Sequence, residues 1–294
     1  MIGSGDGMVI FNKTCIGYNH IFDNTICQDN SLSYQDDKKS IIATCDGHGG
    51  AIYIRSNIGS KLACKAVFNV FNKLSFKNKR QLKLEDVQEK LKLDLLCEWN
   101  RLVENDFLNR PFLEDEFAGL NESQINRLKN NYVTAYGTTM HAALIRDGIV
   151  ICVSIGDGGT FLIKNNTAID AFPEAEDENV ANITCSLCSD NAFDYMHANA
   201  FLLSDIDGVI CLTDGVVNPY QNYDNFNKSF VNPIVNELKN NSEIGIANIK
   251  KFICDLGIYK GIGDDVSIAM IYLRGDEVGI EDGLDEDIFF EQDN

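Results

Sequence analysis

Apolar positions along the chain follow two periods. Residues 8–18 alternate as a first strand. Ile41-Ile42-Ala43-Thr44-Cys45 is nearly continuous and β-branched, as in a buried strand, and it ends abruptly in Asp46-Gly47-His48-Gly49-Gly50. The period then lengthens. Ile54, Ile58, Leu62, Ala66, Val70 and Phe71 recur at helical spacing, which predicts a long helix lying on a sheet over residues 51–74. Val87, Leu91, Leu95, Trp99 and Leu102 predict a second helix over about 84–108. From Gly137 the strand pattern returns in three short segments joined by Asp147-Gly148 and Gly156-Asp157-Gly158, which predicts an antiparallel meander with His141 packed inside its first strand. Residues 208–213 form another buried strand ending in Asp214-Gly215. A helix over about 244–256 leads to Gly263-Asp264-Asp265 and a last strand over 266–273. Residues 19–30 read as a polar loop and 173–200 as a polar, acidic and mobile excursion, since neither keeps a period.

Length and charge narrow the picture. Although 294 residues allow two domains at one per ~150 residues, layered sandwiches of this size often form one unit. One domain is expected over 8–273, with a glycine-rich frayed start at 1–7 and an acidic, disordered tail at 274–294. No apolar run approaches the ~20 residues of a membrane span, and no basic-then-apolar leader is present. Several of the ten cysteines (Cys45, Cys64, Cys152, Cys211, Cys254) fall in strand or helix patterns, where a reduced thiol fills space, so a cytoplasmic protein is expected. Cys185 and Cys188 have zinc-like spacing but no second pair. A net charge of −19 argues against nucleic acid or an anionic membrane as partner and suits a protein that recruits divalent cations.

The candidate chemistry sits at strand ends. Asp46, Asp214 and Asp264 each stand at one end of an apolar run, and carboxylates brought together from such distant points repel unless a cation stands between them. Oxygen ligands without a Cys or His set favour Mg2+ or Mn2+. Two such ions would activate a water and neutralise phosphoryl charge, with His48 placed to protonate a leaving alkoxide.

Six segments in order, Gln28-Asp29-Asn30, Asp46-Gly47-His48-Gly49-Gly50, Gly137-Thr138-Thr139, Gly156-Asp157-Gly158, Thr213-Asp214-Gly215 and Gly263-Asp264-Asp265-Val266-Ser267, resemble the PPM-type (type 2C) metal-dependent serine/threonine protein phosphatases. They are most like the bacterial branch with a Cys-Gln-Asp first motif, and they span about residues 15–273. The resemblance implies an α+β fold, a layered α/β/β/α sandwich with two central antiparallel sheets flanked by helices. It implies hydrolysis of phosphoserine and phosphothreonine in proteins by a monomer carrying two Mg2+ or Mn2+ ions. Asp46 would bridge the ions, the Gly47 carbonyl would bind one, and Asp214 and Asp264 would complete the other. His48 would be the general acid and Asp29 would hold water at the ions, with Gln28 and Asp265 behind the ligands.

This chain departs from the family at four points. Gln28 replaces the acid before Asp29, and Asn24 stands where the phosphate-binding arginine is expected, leaving His20 and Arg55 as weak candidates for that work. Thr134 and Asn218 occupy positions where many members hold a third ion with acids. These losses favour an alternative, a catalytically weak pseudophosphatase that binds or regulates; activity dependent on added Mn2+ discriminates the two. A haloacid-dehalogenase-like reading of the 201–209 segment leaves too little chain after its motif and leaves residues 46–50 unexplained.

Overall fold

A computed structural model of the chain describes residues 7–74, 84–173 and 185–273; the readings of 1–6, 174–184 and 274–294 lie outside them. Within these residues ten strands form two five-stranded sheets, antiparallel at every pairing. One runs β1 (Met8–Cys15), β10 (Val266–Leu273), β9 (Gly208–Leu212), β6 (Gly159–Lys164), β7 (Thr167–Asp170). The other runs β2 (Asn30–Asp36), β3 (Lys39–Cys45), β4 (Met140–Arg146), β5 (Ile149–Ile155), β8 (His197–Leu202). The helices, in chain order, are α1 (Tyr18–Phe22), α2 (Ser56–Lys73), α3 (Leu84–Asn109), α4 (Glu122–Asn130), α5 (Ala192–Tyr195), α6 (Asp214–Val217), α7 (Tyr223–Phe226), α8 (Asn232–Asn240) and α9 (Ser242–Asp255).

Strand alternation explains the layering. Along β3, Ile41, Ala43 and Cys45 face the α2 and α3 side with Val67, Phe71, Leu95 and Trp99, while Ile42 faces the opposite sheet. Along β10, Ile268 and Met270 meet Ile234, Ile249 and Ile253 of α8 and α9, while Ala269 and Ile271 turn inward toward the other sheet. The result is helix, sheet, sheet, helix with three apolar interfaces, and it accounts for apolar runs without a polar face. Truncating Ile42, fully buried between the sheets, to Ala should cost about 2–5 kcal/mol.

The inward faces change character toward one end. Ile42 is followed two residues on by Thr44 and then Asp46, Cys152 by Ser154, and Cys211 by Thr213. In the reverse chain direction Ala143 gives way to His141, Leu162 to Thr160 and Ala269 to Ser267. These hydroxyl and imidazole side chains are buried. A polar layer therefore lies directly behind the loops that carry the acids.

Several expectations are corrected. The three-stranded meander is not formed: β4 pairs with β5, but the chain then crosses through Gly156-Asp157-Gly158, and β6 joins the other sheet beside β9. Gly156 takes φ +112° in this crossover, a conformation that strongly favours glycine. The helix expected from residue 51 begins at Ser56, because Arg55 N–H donates to Ala135 O (2.8 Å) and holds the preceding turn out of the helix. Its buried residues include the small Ser60, Ala63, Cys64, Ala66 and Val67, which allow close approach, together with Phe71, while Ile58, Leu62 and Val70 lie at the flank. Residues 19–30 are not all loop, since α1 covers their start. The 173–200 excursion contains α5 and β8, and Leu187, Ala192 and Met196 bury in the core. Cys15 and Cys254 form a disulfide, so the cysteines are not all free thiols and Cys254 is not a filler.

Candidate active site

The main chain of Asp46 is held from both sides. Its N–H donates to Thr139 Oγ1 (3.0 Å), and its carbonyl accepts from Thr139 N (2.8 Å) and Thr138 Oγ1 (2.7 Å). Thr138 is fixed in turn, its N–H donating to Ser186 Oγ (3.1 Å) and its carbonyl accepting from Leu187 N (3.0 Å). Gly47 is buried where a Cβ would come within 2.7 Å of the Gln28 and Ser56 carbonyl oxygens, so no side chain fits there.

Around this anchor the acids converge. Asp46, Asp157 and Asp214 each bring an oxygen within 4.8 Å of the others. Burial first, then the charges of Asp29 and Asp214, push the Asp46 carboxyl well above its ordinary range, and Asp264 adds to the effect. Asp214 is pushed up to about 6 by burial and by Asp157. Asp264 is raised too, burial again leading. Asp46 and Asp214 thus bring carboxylate oxygens to one place, which two ionised carboxylates tolerate only with a proton or a cation between them.

Unpartnered oxygens point the same way. Asp29 is buried; its Oδ2 accepts from Thr213 Oγ1 (2.8 Å), which itself accepts from Ser267 N (2.9 Å), but its Oδ1 has no hydrogen-bond partner among the described residues. Asp214 Oδ2 accepts from Asn218 Nδ2 (3.0 Å), and its Oδ1 is likewise unpartnered. Buried carboxylate oxygens left in this state are costly, and a hard divalent cation would satisfy them. The donor set fits Mg2+ or Mn2+.

His48 stands beside the cluster. Its main-chain N–H donates to Gly137 O (3.1 Å), its ring lies 4.8 Å from that of Tyr53, and its Nε2 has no hydrogen-bond partner among the described residues. Burial lowers its pKa while the charge of Asp157 opposes the fall.

The remaining candidates divide. Asp265 spends its oxygens on the protein: Oδ1 accepts from Gly17 N (2.7 Å) and Oδ2 from Gln28 N (2.6 Å). It therefore braces the loops that carry Asp264 and Asp29, and Gln28 enters that brace through its main chain. His20 Nδ1 lies 2.8 Å from Asp265 Oδ2, a close polar contact without hydrogen-bond alignment, so His20 packs against this brace. Arg55 is removed from phosphate binding. It is buried, with Nε and Nη2 on Glu116 (2.7 and 2.8 Å), Nη1 on Tyr136 Oη and Arg110 O (both 2.7 Å) and Nη2 on Pro111 O (3.2 Å). No N–H of the guanidinium is left for a ligand. Asn24, at the position of the family arginine, takes φ +53° in the turn after α1.

Two residues at the centre were not assigned from sequence. Asp157 lies in the crossover between the sheets, where the sequence pattern predicts a hairpin turn. Its signal was the third residue of Gly-Asp-Gly, one more than a two-residue hairpin loop requires. Tyr53 had no signal, because its place against His48 depends on the unwound turn before α2.

With this geometry in view, the chain matches the family model described as protein phosphatase 2C over residues 16–253. The chain belongs to the protein phosphatase 2C family. By family it is a protein serine/threonine phosphatase. Solved structures share the fold. A Streptococcus agalactiae serine/threonine phosphatase aligns at TM-score 0.58 and 17% identity, over 90% of this chain and 99% of that one. The Mycobacterium tuberculosis phosphatase PstP/Ppp aligns at 0.53 and 13%, over 92% and 100%. The catalytic domain of PstP in complex with two manganese ions aligns at 0.55 and 13%, over 91% and 98%. No curated protein matches the chain in sequence.

Proposed function

We propose that this phosphatase hydrolyses phosphoserine and phosphothreonine in proteins with two Mg2+ or Mn2+ ions held by Asp46, the Gly47 carbonyl, Asp214 and Asp264, and with Asp157 as a further ligand. The observation that carries the reading is the pair Asp29 Oδ1 and Asp214 Oδ1, without hydrogen-bond partners among the described residues, beside a converging set of carboxyls. When bound, the ions supply a more acidic water and neutralise charge on the phosphoryl oxygens.

The chain's own residues do the rest. Thr138 and Thr139 fix Asp46 so that its carboxylate is aimed before the ester arrives, and such preorganisation is what positioning contributes to rate. Asp29, steadied by Thr213, offers Oδ1 to a water's hydrogen. His48 Nε2 faces no protein partner and donates its proton to the serine or threonine oxygen as the P–O bond breaks. Tyr53 keeps the imidazole from turning away.

Assay of the purified chain on phosphoserine and phosphothreonine peptides, with and without Mn2+ or Mg2+, tests this. Metal-dependent phosphate release is expected. No release at any metal concentration from a chain that still binds metal would favour the alternative, a silent family member, which the engaged Arg55 and the turn residue Asn24 support.

A further inference from the structure

One cysteine pair stands apart from the others. Of ten cysteines eight are free, while Cys15 is bonded to Cys254 with Cα atoms 5.2 Å apart, inside the usual span of ~4.4–6.8 Å. Even Cys45 and Cys64, whose sulfurs lie 3.7 Å apart, remain unbonded. A fold stapled for stability puts its cysteines into bridges, whereas one bridge among eight thiols is the pattern of a redox-sensing pair.

The bridge joins the two segments that hold Asp264. Cys15 ends β1, and its partner across the ladder is Val266, which directly follows the acids. Beyond it, Gly17 N–H donates to Asp265 Oδ1 (2.7 Å), and Gly17 packs so closely that a Cβ would come within 2.2 Å of the Asp264 carbonyl carbon. Asn19 N–H adds a bond to Gly263 O (2.9 Å). These contacts grip the loop from one side. On the other side Cys254 lies in the last turn of α9, and the chain runs on through buried Leu256 and Gly257 toward Asp264. Gly257 meets the first segment, since a Cβ there would stand 3.2 Å from the Ile16 carbonyl oxygen. Three glycines lie between Cys254 and Asp264, and such a connection is easily displaced unless its start is fixed. The disulfide fixes it, tying the end of α9 to the strand whose continuation grips the loop.

We propose that Cys15 and Cys254 form a redox switch on the acid centre, which rests on the metal-binding part of the phosphatase reading. Bridged, they keep the 263–265 loop in the geometry that lets Asp264 hold a divalent cation. Reduced, they release the end of α9 and weaken that hold. The reductant is a dithiol. Its first thiolate attacks Cys254 Sγ, in the more exposed residue of the pair, and forms a mixed disulfide as the bridge breaks and Cys15 leaves as a thiolate that takes a proton. The second thiolate attacks the reductant's own sulfur in the mixed disulfide, Cys254 leaves and is protonated, and the reductant departs as a cyclic disulfide. Two electrons and two protons pass to the pair, and a disulfide oxidant reverses the exchange.

The test equilibrates the full chain, without metal, against ratios of reduced to oxidised dithiothreitol, and removes the reagent under exclusion of air. Alkylation in denaturant with mass spectrometry should show blocked cysteines rising from eight to ten, residues 15 and 254 being the pair that changes. Manganese titration by calorimetry should show one ion bound about 10-fold more weakly after reduction, the low end of the ~10–100-fold that groups behind a ligand contribute. Amide hydrogen exchange over 255–265 should quicken while that of β3 and β4 stays unchanged. Cys15→Ser with Cys254→Ser should match the reduced chain at every ratio. A bridge that never forms, a bridge between other cysteines, or manganese affinity and exchange indifferent to the bridge would each overturn the switch. That comparison is made within wild type, so it decides even where the double variant fails to fold. Bridge-dependent manganese binding in a chain that releases no phosphate from phosphoserine peptides would sink the phosphatase reading alone. Metal-dependent phosphate release with affinity blind to the bridge would overturn the switch alone.

Discussion

Among the described residues, the charged groups around Arg55 and those of the acid centre are built in opposite ways. Around Arg55 every polar group is answered. The guanidinium meets Glu116 in a bidentate pair, Tyr136 Oη accepts from it and donates to Asp106 Oδ2 (2.9 Å), Arg110 reaches the same aspartate, and the Phe112 ring lies 4.7 Å from Arg55 Cζ. The Glu116 carboxyl is accordingly held below its ordinary range, the Arg55 hydrogen bond being the main cause. At the acid centre the carboxyls face one another, their pKa values rise through burial and mutual charge, and two oxygens go unanswered. A satisfied cluster is complete as it stands and acts on the fold. An unsatisfied one awaits a ligand, and its cost is borne by the rest of the structure.

The largest effects should come from the acids. Asp46→Asn or Asp214→Asn removes a charged oxygen ligand, so turnover should fall at least ~10³-fold, about 4 kcal/mol at ~1.36 kcal/mol per decade. The metal-free fold should be as stable as wild type or more so, because a repelling carboxylate has gone. Activity against Mn2+ concentration, with thermal melting in chelator, measures both. Arg55→Met should do the reverse. It leaves Glu116 and Asp106 without their cation at a cost of about 3–5 kcal/mol by chemical denaturation, while the folded fraction keeps its turnover within about threefold. If Arg55→Met instead cost more than ~100-fold in kcat/KM with the fold intact, about 2.7 kcal/mol, the contrast between the two clusters would fail.

A finer effect separates His48 from the metal ligands. Loss of a general acid costs ~10²–10⁴-fold where the leaving group needs a proton. His48→Ala should therefore lie in the lower half of that range on phosphoserine peptides and much nearer wild type on an activated aryl phosphate. Equal losses on the two substrates would place His48 among the ligand-holding groups.

How much of this was legible beforehand follows from which interactions are local. Asp46 and Asp214 could be read because an apolar run broken by Asp-Gly is a signal within a few residues, and Asp264 because Gly-Asp-Asp stands directly before one. The layered fold could be read because its motifs come in a recognisable order. Asp157 was missed because sheet membership is not local: β5 and β6 look like two arms of a hairpin until their partners β8 and β9 are known. Arg55 was misjudged for the same reason, since its acceptors lie fifty to eighty residues downstream. β2 went unrecognised between Asn30 and Asp36 because none of its residues is fully buried and its composition is polar.

His141 offers the smallest and most discriminating test, because it is buried in the polar layer yet belongs to neither cluster. It is fully buried between the sheets, with Nδ1 3.0 Å from Ser154 Oγ and 3.4 Å from Thr160 Oγ1, and its Nε2 is unpartnered. Burial holds its pKa down to about 4, against the opposing charge of Asp157. The unfolded chain takes up this proton near pH 6.5, so between about 6.5 and 4 the unfolded state binds more protons than the folded one. Stability from this group is thus fully present above ~6.5 and is lost as pH falls toward 4, by roughly 1–3 kcal/mol in total. The centre's carboxyls contribute the opposite slope without metal, since their folded pKa values are raised and the fold gains as pH falls through them. The two slopes are separated by difference. Denaturation of wild type and His141→Gln at matched pH in chelator should give curves that converge as pH drops from 7 to 4.5, the variant losing less. Parallel curves would mean that His141 takes up its proton at the same pH in the fold as in the unfolded chain, so that its burial between the sheets does not oppose the charge.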